Sequence, residues 1–309
     1  MKEYMPLWKM VDRKYCDIAD LADHVLVPVG NAIYNFYART WPGRFRKQVE
    51  DAIDRGISFF EQQETLTFDA IGTFLLMINK SYEPRLDRFD EKIRAYAGKW
   101  NDPHLRLLDE DYDPESGVNT AKEEVNPNGL DMVEKPLVDC LYADRAGIDE
   151  KFLQEIEALE DDGGYGTTHK LLAAVILKKF SAIPGGVLDG MIESAISNIA
   201  KAQRRASAAD IFFERTVLLQ WLDRDHFVDP AWIVRILRAQ LGNGGWRWDR
   251  SFRRRRAEQH PSCCGLTALI QFREKRIKGG AATAPKPSEL GRAFPLVAGV
   301  QGRAPLMAR

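Results

Sequence analysis

The stretch "QLGNGGWRW", residues 240–248, has a counterpart in "EDDGGYGTTHK", residues 160–170. Each follows an amphipathic run (149–160 and 229–241), passes through an acid or amide, two glycines and an aromatic, reaches a histidine (His169, His260), and enters an apolar run (168–180 and 261–277). This is one helix-turn-helix unit used twice. Gly163-Gly164 and Gly244-Gly245 can supply the positive φ that lets a chain leave one helix and reverse. Tyr165 and Trp246 are expected to pack over the junction, and Gln240, about one turn earlier, to bond backbone groups left unpaired at the helix ends.

Working outward, helical periodicity recurs at 46–63, 67–80, 85–100, 187–205 and 207–223, while sustained alternation bounded by hairpin turns does not occur. The expected class is all-α. The helices differ in kind: "EKFLQEIEALE" and "ESAISNIAKAQRR" carry one wet face, whereas "KLLAAVILKKF" and "IFFERTVLLQWL" are apolar nearly all round. Alternation of half-wet and dry helices with short connections predicts two layers of antiparallel neighbours. Asp229-Pro230 reads as a capped helix start, with Ser207 and Thr168 as further caps. Residues 101–136 are polar and rich in Pro, Asn and acids, an excursion or lid. Residues 279–309, rich in Gly, Ala and Pro, are expected to be a disordered tail.

The chain has 309 residues, 45% of them hydrophobic, and a formal net charge of −1. That suits a globular protein with a sizeable core and gives no general argument for nucleic acid or an anionic membrane. Charge is nevertheless uneven, acidic over 101–162 and basic over 235–278. The four cysteines, Cys16, Cys140, Cys263 and Cys264, form no paired framework. A reduced, cytoplasmic setting is the default expectation. The first twenty residues lack a continuous apolar core and a small-residue cleavage site, and no stretch suits a membrane span.

"QLGNGGW" resembles the Gln-x-x-Asp-Gly-Ser-Trp repeat of squalene and oxidosqualene cyclases, with Asn243 for Asp and Gly245 for Ser. Residues 244–272, "GGWRWD…H…C…GLTALIQF", are similar to the late repeats of protein prenyltransferase β-subunits, where a Gly-Gly turn precedes a His at the start of an inner helix. The resemblance covers about 140–275 and, more weakly, the chain from about 45. It implies an α/α toroid, complete or partial, with outer and inner antiparallel helices alternating around an apolar central cavity. The toroid is then expected over 46–278, with 1–45 as an N-terminal helical extension. A terpene cyclase-like or prenyltransferase-like protein would bind, and could transform, an isoprenoid-like ligand in that cavity.

The catalytic signatures depart from the family. The Asp-x-Asp-Asp acid of class II terpene cyclases is missing, and the acidic clusters "LDEDYD" (108–113) and "LDRDHF" (222–227) lie outside dry helices, where burial could raise a carboxylic acid's pKa. A calcium loop beginning at Asp109 is opposed by Pro114, which stands where glycine is needed. Prenyltransferase β-subunits hold zinc with an Asp-x-Cys pair and a His. His260 matches that His by its place before the inner helix, but the pair is replaced by adjacent Asp139 and Cys140. Cys263 or Cys264 could contribute a thiolate, and zinc or magnesium is the cofactor expectation. His169 and His260 could equally cap or pack at inner-helix starts.

The polar candidates for chemistry are His169, Glu214, Asp249 and His260. Glu214 sits in an otherwise dry helix, where it either meets Arg215 or another cation at the surface or faces the cavity. Arg253, Arg254, Arg255 and Arg256 could take a diphosphate through guanidinium forks or form a solvated basic loop. Tyr165, Phe212, Trp221 and Trp246 are candidate ligand-contacting aromatics, with core packing as the competing reading. Two rival functions remain open. One is a non-catalytic scaffold docking a protein partner through 101–136; the other is a toroid carbohydrate-active lyase or hydrolase built on clefted carboxylates.

Overall fold

The computed structural model describes residues 27–67, 69–100, 102–113, 134–180, 183, 185–204, 206, 208–248 and 256–279. Expectations for the first part of the N-terminal extension, most of the polar excursion, the Ser207 cap, Asp249, Arg253–Arg255 and the tail lie outside them.

The described residues are helical, without a strand; an isolated antiparallel bridge joins Trp246 to Glu258. Helix α1 is described over 27–40. It is followed by α2 (Pro42–Glu61), α3 (Gly72–Met77), α4 (Asp90–Trp100), α5 (Glu134–Leu141), α6 (Ala143–Ala146) and α7 (Glu150–Glu157). The second half holds α8 (Tyr165–Phe180), α9 (Gly185–Gln203), α10 (Asp210–Trp221), α11 (Pro230–Ala239) and α12 (Gln259–Phe272). Among the described residues no helix is long and apolar enough to cross a membrane.

Local chemistry explains the boundaries. Asp229 caps α11 by accepting from the Ala231 amide at 2.9 Å, with Pro230 in the first turn. Asp149 caps α7 in the same way through Phe152, at 2.7 Å. The expected Thr168 cap is displaced, because α8 already begins at Tyr165. The Thr167 hydroxyl instead accepts from Gly163 N–H at 2.8 Å and so ties the turn to the helix. Helices α5 and α6 escape the periodicity reading because they are short. Pro103–Leu107, within the polar excursion, forms a 3-10 turn, and buried Arg106 anchors it through two 2.7 Å bonds to the Asp144 carboxylate.

The dry helices make an inner row. Every residue of α12 from Pro261 to Phe272 is buried, as is α10 from Phe212 to Gln220. Helix α12 packs between α3 and α10; α10 continues to α8, and α8 to α5. Contacts run on from α5 through Pro103–Leu107, α4 and the 3-10 turn Pro84–Phe89 back to α3. The half-wet α2 and α11 cover α12, and α9 covers α8 and α10.

The two glycine turns do reverse the chain, each through its first glycine. Gly163 has φ +87 and Gly244 φ +91. A Cβ on Gly244 would stand 2.1 Å from the Arg55 carbonyl oxygen, so close backbone approach excludes any side chain there. Gln240 fills the role expected of it: its amide donates to Ala52 O and Gly244 O, each at 2.8 Å, while its oxygen accepts from Arg55 Nη2 at 2.6 Å. Trp246 is fully buried; its indole donates to Ile236 O at 2.9 Å and its amide to Ser262 Oγ at 2.8 Å. Two glycines and two tryptophans thus sit together because the turn is a packed joint between α11, α2 and α12.

Helices α3, α8 and α10 and the turn Pro103–Leu107 converge on one small apolar space. Phe74, Leu107, Val175, Ile176, Phe180 and Trp221 line a space of about 10 Å3, about the size that admits a single water. Phe74 and Trp221 meet edge to face at 6.2 Å in its wall.

Candidate metal centre

Polar residues converge at the N-terminal ends of α10 and α12. On α10, Asp210 and Glu214 are four residues apart and share a face; on α12, His260 and Cys264 do the same. Because α10 and α12 pack side by side, the two faces meet. Asp69, from the loop before α3, approaches from the other side, and Gln259 pins that loop by bonding Thr67 N and Thr65 O, each at 2.8 Å.

His260 is the hub. Its Nδ1 lies 3.1 Å from Asp69 Oδ1, and its Nε2 faces Asp210 Oδ2 at 3.5 Å, Glu214 Oε2 at 3.7 Å and Cys264 Sγ at 3.9 Å. The Trp248 ring stacks on the imidazole at 4.9 Å with a 6° tilt, and the Trp248 carbonyl accepts from Asp210 N at 2.9 Å. Tyr165 donates its hydroxyl to Asp210 Oδ2 at 2.9 Å while remaining partly exposed. Ligand atoms of Asp210, His260 and Cys264 all lie within 4.8 Å of one another.

The electrostatics are unbalanced. Asp210 and Glu214 are both wholly buried, and Asp210 Oδ1, Glu214 Oε1 and Glu214 Oε2 have no hydrogen-bond partner among the described residues. Buried anions of this kind are costly unless a cation joins them. Burial, with the Glu214 charge, pushes the Asp210 carboxyl up to about 7 against the pull of His260. Burial would also raise Asp69, but the His260 charge and hydrogen bond, with Gly72 N–H and the Thr73 hydroxyl, bring it down to about 2. For His260, burial opposes protonation, yet the anionic forms of Cys264 and Asp69 carry it well above the usual imidazole value. The buried Cys264 thiol is pushed up to about 12.

Several sequence expectations change. Glu214 faces His260 inside the protein rather than meeting Arg215 at the surface. Asp139 is paired with Lys135 at 2.5 Å on α5, Cys140 is buried on that same helix, and Cys263 turns toward the Thr73 hydroxyl at 3.8 Å. The set Asp139, Cys140, His260 and Cys263 therefore does not assemble. The physical reason is that Cys264, one turn after His260, shares its face, while Cys263 is rotated by about 100°. His169 Nδ1 sits 2.8 Å from Tyr165 O in its own helix. Phe212 and Trp246 are core residues with no solvent exposure. Trp221 lines the small filled space. Arg256 is exposed.

Sequence reasoning missed Asp69 and Asp210. A signal for Asp210 was present, since two pairs of potential ligands, 210/214 and 260/264, stand at one-turn spacing on otherwise dry helices. Asp69 lies in a loop and has no such signature. Comparison with protein-family models, with curated proteins and with solved structures found no match.

Proposed function

We propose that the chain is a zinc-dependent enzyme in which Asp210, His260 and Cys264 hold the ion. The observation that carries this reading is the surroundings of His260 Nε2: Asp69 occupies Nδ1, so Nε2 is turned toward two buried carboxylates, which share one hydrogen bond from Tyr165 among their four oxygens, and a thiol, at 3.5–3.9 Å. Ligands about 2.0–2.3 Å from a tetrahedral zinc are separated by distances close to these. A carboxylate on the far imidazole nitrogen is the usual outer support of a zinc-bound histidine. A bound zinc ion would offset most of the buried negative charge, and Cys264 would hold it as the thiolate.

Asp210, His260 and Cys264 would hold the ion from the protein side, with Tyr165 bonded to Asp210 and Trp248 stacked on His260. When bound, zinc lowers the pKa of a coordinated water or thiol so that it attacks at neutral pH. Glu214, whose Oε2 lies 3.7 Å from His260 Nε2, would accept the proton of a nucleophile held there, and the Tyr165 hydroxyl orients Asp210. The donor set has the ligand types that the prenyltransferase resemblance implies, although it arises from different spacing. We read the circuit of inner helices as an α/α toroid whose centre is closed by aromatic rings. With about 10 Å3 at that place, the reading commits to a zinc-activated nucleophile at the helix ends and not to a prenyl chain in the middle.

Elemental analysis of protein purified without chelator tests this, together with cobalt substitution. One equivalent of zinc is expected, and cobalt should give a thiolate charge-transfer band that disappears in Cys264→Ser and persists in Cys263→Ser. Metal-free protein that takes up no zinc at micromolar concentration would sink the proposal.

A further inference from the structure

A groove of about 590 Å3 lies between α1, the start of α11 and the segments that follow α9, α10 and α12. Asn31, Asn35 and Arg39 reach it from α1 at four-residue spacing, one helix face. Arg204, His226 and Arg276 reach it from the other segments. Asn35 accepts from Ala231 N at 3.2 Å through its side-chain oxygen. The acid among the lining residues, Asp229, is spent capping α11.

Two features point to a ligand. Arg39, Arg204 and Arg276 line a concavity without a carboxylate partner among the described residues. Three guanidinium groups against the one carboxylate of Asp229 leave the concavity net positive, and a concave surface focuses such a potential on whatever enters. In addition, the Asn31 side-chain oxygen is buried without a donor. The guanidinium groups ask for an anion with several oxygens, and Asn31 asks for a hydroxyl or N–H. Trp232, 3% exposed, and Phe227 add an apolar floor. The volume falls within the range of small-molecule sites, about 300–1,000 Å3.

We propose that this groove binds a phosphorylated polyol of sugar-phosphate type, its phosphate held by the arginines and a hydroxyl donated to Asn31. Guanidinium forks match phosphate oxygens in pairs, which favours phosphate over a single carboxylate. The groove shares no residue with the zinc centre, so each stands or falls separately.

The test is calorimetric titration of the full chain, in chelator and with zinc, using a hexose 6-phosphate, the free hexose and inorganic phosphate. The hexose phosphate should bind with and without zinc, more tightly than inorganic phosphate, and the free hexose should give no heat. Arg39→Ala and Arg276→Ala should each weaken binding by about tenfold, and Asn31→Leu should reduce the affinity for the hexose phosphate to that for phosphate alone. These are surface or half-buried positions, so unchanged melting confirms that the variants fold. Binding that all three variants leave unaltered, or a hexose phosphate bound no better than inorganic phosphate, would overturn the assignment.

Discussion

Replacing Asp210 by asparagine should make the metal-free protein more stable at alkaline pH while abolishing zinc binding. Asp210 has no solvent exposure, and burial beside Glu214 raises its carboxyl from 3.8 to about 7. A folded-state value above the unfolded one means that the stabilising contribution is complete below about pH 4 and is lost as pH rises through 7. Three units at about 1.4 kcal/mol each correspond to a penalty on the order of 4 kcal/mol at pH 8. The substituted amide would keep the shape and an acceptor for the Tyr165 hydroxyl without the charge. Urea denaturation in chelator at pH 5 and pH 8 measures the effect. Wild type should weaken over that interval, the variant much less, and at pH 8 the variant should be the more stable. Zinc at a thousandfold over its dissociation constant adds about 4 kcal/mol to a protein that binds it, so zinc should stabilise wild type alone and erase the variant's advantage. A variant less stable than wild type at pH 8 in chelator, with an unchanged pH slope, would refute the reasoning.

Asp69 should behave in the opposite sense and in a different window. Its carboxyl is held down to about 2, so it contributes about 2 kcal/mol that is present above pH 4 and lost between pH 4 and 2. Asp69→Asn should remove that acid-side slope from metal-free denaturation curves and lower zinc affinity by about 10- to 100-fold in competition with a chelating dye. Gly244→Ala should cost at least about 2 kcal/mol in thermal melts, since its φ is +91 and the new Cβ meets the Arg55 carbonyl. The neighbouring Gly242→Ala, with open space around it, should be nearly neutral. Trp246→Ala should cost about 3–5 kcal/mol by leaving a cavity and removing the indole N–H from the Ile236 carbonyl, while the backbone bond to Ser262 stays.

The turns were the most legible part of the fold, because a glycine with positive φ and a tightly packed tryptophan leave a compositional trace. Dry helices α8, α10 and α12 were legible for a related reason: burial on all sides demands apolar residues on all sides. Helices α5 and α6 were not, being too short to show a period and set beside a polar stretch. The site was half legible. His260 stood out by its place after the glycine turn, and Glu214 by its charge in a dry helix. Asp210 lay unremarked within the helical run 207–223, and pairing it with His260 required knowing that α10 and α12 are neighbours. Asp69 comes from a loop almost two hundred residues away in sequence, and nothing local announces such a contact. Whether the dry helices leave a hollow was not legible either, because large aromatic rings can close a space as readily as line one.

Anomalous diffraction at the zinc absorption edge from crystals grown with zinc tests the central claim most directly. The account predicts one strong peak bonded to Asp210, His260 Nε2 and Cys264 Sγ, about 2.0 Å from nitrogen and oxygen and about 2.3 Å from sulfur, with Asp69 still on His260 Nδ1. A cluster that stays metal-free under saturating zinc, with the imidazolium bridging Asp69 and Asp210, would contradict it.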